Sequence, residues 1–190
     1  MPRIAKIPKI FQGDIDRIQK YFDELTRNRQ EVRNLAIISL LLKTGIKTHV
    51  LTSLNVLDFD SETRTIYPSH SKAPRKIKLD LQTNEILVNY LKYRRDSLRP
   101  LFIAFVRNPY NEAKELRLSD RSIQRIVKKF AKELKLMGNF TPKFFRHTLG
   151  IYYAAMRASS DTIDDILGSV APWVTANYRR RAIISSEESK

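Results

Sequence analysis

The stretch Leu35-Ala36-Ile37-Ile38-Ser39-Leu40-Leu41-Leu42 is apolar almost all the way round a helix. A helix without a polar face has to be wrapped by other elements, so a central buried helix is expected over about residues 29–44. Gly45 fits its C-terminal cap. Other helices can be read around it. Asp14 can cap one running to about residue 27, with Ile15, Ile18, Phe22 and Leu25 near one face, and Thr83 one running to about 96, with Ile86, Leu87, Tyr90 and Leu91 inward. Ser119 caps the clearest helix: Ile123, Ile126, Val127, Phe130, Ala131 and Leu134 follow a helical period. Its other face carries Arg121, Arg125, Lys128, Lys129 and Lys132, and a solvated basic face is preferred there over direct phosphate contact.

Two segments alternate instead. Residues 64–70 and 75–81 read as strands, with Ile77, Leu79 and Leu81 on one side of the second and Lys76, Lys78 and Asp80 on the other. Ser71-Lys72-Ala73-Pro74 forms a short basic hairpin tip between them. Pro68 demotes the first strand to an edge. Residues 101–106 suit a short buried strand or turn. The expected class is mainly α with a small antiparallel β-sheet (α+β). The expected organisation is a basic N-terminal arm and helix over 1–28, a single domain over 29–184, and a polar tail over 185–190.

The net charge is +15 and the pI about 10.1, which makes nucleic acid the first candidate partner. An anionic membrane surface comes second, without a basic amphipathic helix to serve as anchor. Hydrophobic residues make up 42% of the chain, enough for a core and against disorder. No apolar run approaches the roughly 18 residues of a membrane span. The basic start of the chain lacks the apolar stretch of a signal peptide. Cysteine is absent and there are three histidines, His49, His70 and His147, so no metal site is expected.

The chemistry concentrates in residues 141–181. Thr141 is a good N-cap and Pro142 a good first helical residue for a helix running to about 157. Lys143, Arg146 and His147 then share one face of its first two turns, where the helix dipole disfavours positive charge. They are either a solvated basic face or the walls of an anion site. Ser160 can cap a short helix carrying Asp161, Asp164 and Asp165, closed by Gly168. Pro172 can open another helix that contains Tyr178, followed by Arg179, Arg180 and Arg181. A phenol is a weak nucleophile at its free pKa near 10 and needs cations or a base beside it.

These residues resemble the C-terminal motifs of the tyrosine recombinases, the integrase family of phages and mobile elements. That pattern reads histidine or lysine, two residues, arginine-histidine-threonine, then leucine-glycine-histidine, then a tyrosine nine residues on. Here it is met by Lys143, Arg146, His147 and Thr148, then Leu167, Gly168 and Ser169, then Tyr178. Thr44-Gly45-Ile46-Lys47 with Leu51 and Leu54 is similar to the family's first box, in which Lys47 falls on an arginine and Val50 on a glutamate. The lysine at 143 is similar to that of archaeal-virus integrases.

The resemblance implies DNA strand cleavage and rejoining through a 3′-phosphotyrosine, with neither metal nor nucleotide cofactor. It implies Tyr178 as nucleophile, Arg146 as phosphate clamp, Lys143 at the histidine-or-lysine position and His147 as support beside Arg146. Lys47 takes the place of the second clamp, and Ser169 that of a histidine. Trp173 is a candidate to fill the space left at 169. Lys72 is the best match for the family's hairpin lysine, the general acid, with Lys76 as the alternative. Arg75, Lys76, Arg179, Arg180 and Arg181 are implied DNA contacts. Double-stranded DNA is the implied partner, with self-association on it as a tetramer, and a cytoplasmic, nucleoid-associated setting with a virus or plasmid as candidate source. Lys47 is also read as a lysine at a helix end, and Lys72 as a solvated turn residue. Family members usually carry an N-terminal helical domain that closes round DNA, for which residues 1–28 are too short. The competing expectations are a recombinase-fold DNA-binding protein without catalysis and an unrelated basic nucleic-acid-binding helical domain.

Overall fold

Asn28 opens the central helix with a capping box. Its side-chain oxygen accepts from the N–H groups of Gln30 and Glu31, both at 3.0 Å, while its own N–H donates to Glu31 Oε2 at 3.4 Å. The computed structural model describes residues 18, 20–22, 28–69, 76–105, 116–136, 138–168 and 170–187, without the side chains of 184–187. Helix α1 (Arg29–Thr44) is followed by α2 (Thr48–Ser53), a 3₁₀ turn (Val56–Asp58) and strands β1 (Phe59–Asp60), β2 (Thr65–Ile66) and β3 (Ile77–Lys78). Then come α3 (Leu81–Arg94), α4 (Asp120–Glu133), α5 (Pro142–Ala155), α6 (Ser160–Leu167) and α7 (Pro172–Glu187). Of the expected first helix, Ile18, Lys20, Tyr21 and Phe22 are helical and the rest lies outside the described residues.

The apolar run of α1 is buried as its pattern requires, Leu35 to Leu41 all being 1% exposed or less. Helices α3, α4 and α5 pack around it. On α4 the residues Ile123, Ile126, Val127, Phe130 and Ala131 face this core, and the basic residues opposite are exposed. The class is therefore mainly α with a small antiparallel sheet. No helix among the described residues is long and apolar enough to cross a membrane.

The sheet departs from expectation in three ways. Its order is β1-β2-β3, antiparallel, with Ile66 opposite both Phe59 and Ile77. The strand carrying the 64–70 pattern is thus central and not an edge. Pro68 sits beyond the paired residues and removes no ladder bond. Strand β1 adds a third strand to the two expected; it pairs because Asp58 anchors the segment, accepting from Asn55 N at 2.8 Å and from Ser69 Oγ at 2.6 Å. Finally, Leu81 is not a strand residue but opens α3 and is 57% exposed.

Two caps shift by one to three positions. Asp80 rather than Thr83 caps α3, accepting from Thr83 N at 2.8 Å, because a carboxylate there meets both the helix dipole and Lys43 at 3.3 Å. Thr83 is buried instead, its hydroxyl bonded to Ser39 Oγ at 2.8 Å. Ser159 rather than Ser160 caps α6 through Thr162 N at 3.0 Å, which leaves Ser160 Oγ to accept from Arg179 at 3.3 Å.

Candidate active site

Helix α5 joins two cores. Thr141 Oγ1 accepts from Phe144 N at 3.2 Å and Pro142 holds the first position, so the helix starts where its cap predicts. Phe144 and Phe145, 4% and 1% exposed, enter the main core. The second half packs with α6 and α7 around a smaller core of Ala154, Ile163, Leu167, Tyr178 and Ala182. Arg146 and His147 lie between these two halves, Lys143 one turn earlier and exposed.

Arg146 ties two helix ends together through three carbonyls. Its Nη1 donates to Gly45 O at 3.0 Å and to Leu167 O, and its Nη2 to Gly168 O at 3.2 Å. Those carbonyls are left over at the ends of α1 and α6. Gly45 turns with φ of +58°, and a Cβ there would stand 3.0 Å from a Leu167 methyl. The Nε–H and one Nη2–H are bonded to no other described residue. Burial pushes the guanidinium pKa down, while Tyr178 and Asp164 push it back up.

Tyr178 is 3% exposed and its Oη lies 2.8 Å from His147 Nδ1, the two rings meeting edge-on. Burial raises the phenol's pKa and the Arg146 charge opposes the rise. Burial lowers the His147 pKa to about 4, helped by the positive charges of Lys143, Arg146 and Arg181. The imidazole is therefore neutral at pH 7, and with its ring proton on Nε2 the bare Nδ1 accepts from the phenol's O–H. The tyrosine ring can reach it because residue 150 is glycine: a Cβ there would sit 2.5 Å from Tyr178 Cε2. Gly150→Ala should gain helix propensity yet lose about 1–3 kcal/mol net by pushing the ring out, as overpacking does. Urea denaturation checks this, and a variant as stable as wild type would show that the ring has room.

The structure thus gathers Tyr178, His147, Arg146, Lys143 and Arg181. Lys47 is exposed at the N-cap of α2, two residues past the carbonyl that holds Arg146. Arg179 is turned to the start of α6, donating to Ala158 O at 3.0 Å, and Arg180 to Asn177 Oδ1 at 3.1 Å; both are exposed. Lys76 is exposed, with its ammonium 5.5 Å from the centre of the Tyr67 ring. Trp173 is 65% exposed and does not fill a buried space. Lys72, Arg75 and Ser169 lie outside the described residues. Sequence reasoning missed Gly150 and Asp164. The signal for Gly150 was available, since a glycine inside a helix costs about 1 kcal/mol and asks for a reason.

The sequence matches the Phage integrase family over residues 12–183, and the chain belongs to that family. More narrowly, the fold and the relatives define a tyrosine recombinase catalytic domain, as the resemblance implied. The tyrosine recombinase XerC of Thermodesulfovibrio yellowstonii is 29% identical over 157 residues, covering 77% of this chain and 49% of that protein. XerS of Streptococcus pneumoniae is 26% identical over 168 residues, covering 85% and 45%. The chain spans about half the length of these curated relatives. Among solved structures, the XerA recombinase superposes with a TM-score of 0.75 at 20% identity, covering 96% of this chain and 65% of that one. XerH bound to palindromic difH substrate, a post-cleavage complex, gives 0.73 at 17% identity, covering 97% and 53%. At these identities the structures share the fold.

Proposed function

We propose that this chain is the catalytic part of a site-specific DNA recombinase that cleaves and rejoins duplex DNA through a 3′-phosphotyrosine intermediate. The observation that carries the reading is the Tyr178 phenol bonded to His147 beside the Arg146 guanidinium. In this reading Tyr178 Oη attacks a backbone phosphorus and the 5′ oxygen leaves. The transition state places extra negative charge on the phosphate oxygens, and pre-positioned cations stabilise it. Three carbonyls orient Arg146, and its Nε–H and remaining Nη2–H suit a bidentate grip on phosphate. Lys143 and Lys47 add point charges, Lys72 protonates the leaving oxygen, and Ser169 donates a hydrogen bond. The phosphotyrosine keeps the bond energy for rejoining by a second 5′-hydroxyl.

The net charge of +15 supports duplex DNA as the substrate, with Arg75, Lys76, Arg179, Arg180 and Arg181 on its backbone. Residues 29–184 act as one catalytic-type unit that self-associates on DNA, as a tetramer, in a cytoplasmic, nucleoid-associated setting. Family membership favours this enzyme over a binding-only relative.

The test is covalent capture. Duplexes selected by binding from a random-sequence pool, then nicked near the selected site, should yield an adduct that survives denaturant. Peptide mapping should place the DNA on Tyr178. Selected duplexes that bind with steep salt dependence yet never become attached would leave a DNA-binding protein and end the enzymatic reading.

A further inference from the structure

The phenol needs help to lose its proton, since burial makes it a weaker acid than free tyrosine. Three histidines are present in the chain; His49 is exposed on α2, His70 lies outside the described residues, and His147 touches the phenol. The contact is built for transfer. Nδ1 stands 2.8 Å from Oη, and both partners sit on packed helices, with the Tyr178 ring seated over Gly150. The charged groups that act on the imidazole are Lys143 and Arg146 on α5 and Arg181 on α7, all cations. Asp164 on α6 acts on Arg146. Burial first, and then the three cations, keep the imidazole unprotonated, so that Nδ1 is available as an acceptor when the ring proton sits on Nε2. The cations are also the groups that a DNA phosphate would neutralise. An arriving phosphate therefore offsets the repulsive part of what stops the imidazole from holding a proton, and brings an anion that favours the imidazolium.

Resting on the recombinase reading above, we infer that His147 is the general base for Tyr178 and that the bound DNA phosphate itself switches this base on. In the step, the Oη–H bond breaks and an Nδ1–H bond forms as Oη bonds to phosphorus. The phosphorus–5′-oxygen bond breaks, and that oxygen takes a proton from the general acid. When a 5′-hydroxyl displaces the tyrosine, its proton goes back to the general acid and the imidazolium returns its own to Oη, so protons balance over the cycle. The coupling gives the site a safeguard: without phosphate, the nucleophile stays protonated.

The experiment measures single-turnover adduct formation on the nicked duplex from pH 5.5 to 9 for wild type, His147→Ala and His147→Gln. Glutamine can accept the phenol's hydrogen bond but not its proton, so it separates positioning from base catalysis and guards against misfolding of the alanine variant. Both variants should slow attachment by about 10²-fold at pH 7, the scale of a positioned base. Added imidazole should restore part of the rate in His147→Ala. The wild-type rate should level off above the imidazole's pKa in the complex, while the variants keep climbing as the phenol ionises unaided. A nitrogen-detected titration of His147 by NMR should show its pKa rising when duplex is added. If wild type forms the adduct but either variant equals or exceeds it, or shares its pH profile, the base role falls while the recombinase reading stands. If wild type forms no adduct on any selected duplex, the recombinase reading falls and takes this inference with it.

Discussion

Tyr178→Phe is expected to abolish covalent capture of nicked duplex while leaving fold and DNA affinity almost unchanged. The substitution removes one oxygen and nothing else. The ring keeps its seat over Gly150 and its place among Ala154, Ile163, Leu167 and Ala182. Among the described residues, the hydrogen-bond partner the oxygen loses is His147 Nδ1, a bond worth about 1 kcal/mol net. Part of that is offset, because phenylalanine has no buried hydroxyl to desolvate. Stability should therefore stay within about 1 kcal/mol of wild type. The rate should fall on the order of 10⁴-fold or more, the scale of losing a covalent nucleophile. Adduct formation, salt-dependent duplex binding and thermal melting measured side by side check all three parts. Helix α5 holds other tyrosines, Tyr152 at 55% exposure among them. An adduct that persists in Tyr178→Phe and maps to one of those would remove Tyr178 from the reaction.

That such a test can be named owes much to local signals in the chain. Thr141, Pro142, Gly45 and Gly168 carry cap chemistry that depends only on near neighbours, so the ends of α1, α5 and α6 were legible, α6 to within one residue at its start. Pro172, as a helix opener, placed Tyr178 on its helix for the same reason. What was illegible depends on contacts distant in sequence. Pro68 reads as an edge-strand mark, yet the partner that makes β2 central is supplied by Phe59 and Asp60, whose pairing is held by Asp58 and Ser69. Asp80 outcompetes Thr83 as a cap through Lys43, which lies a whole helix and sheet earlier. The His147–Tyr178 bond spans 31 residues and needs two helices packed at the one place where Gly150 lets a ring through. A motif can list those residues, but it cannot say that the imidazole meets the phenol and that three cations surround it.

Arg146→Ala should lower both stability and reaction rate, and Arg146→Lys should separate the two. The alanine variant strands the carbonyls of Gly45, Leu167 and Gly168, which end α1 and α6. The site is half-buried, so water can reach some of them, and the expected loss is about 2–3 kcal/mol rather than the sum of three full penalties. It also removes the cation that faces the phenol, with an expected loss of about 10³-fold or more in adduct formation. Lysine keeps the charge and can reach one or two of the carbonyls, so about half the stability should return. It cannot hold three carbonyls and grip a phosphate at once, because an ammonium has three donors and no planar fork. Its rate should therefore remain about 10²–10³-fold below wild type. Urea denaturation and single-turnover adduct formation on the same preparations separate the effects. A lysine variant at the wild-type rate would mean that charge alone suffices here and that the carbonyl-held fork is only a structural tie. A slow but well-folded one would assign the orientation of the guanidinium, set by the ends of two helices, to catalysis itself.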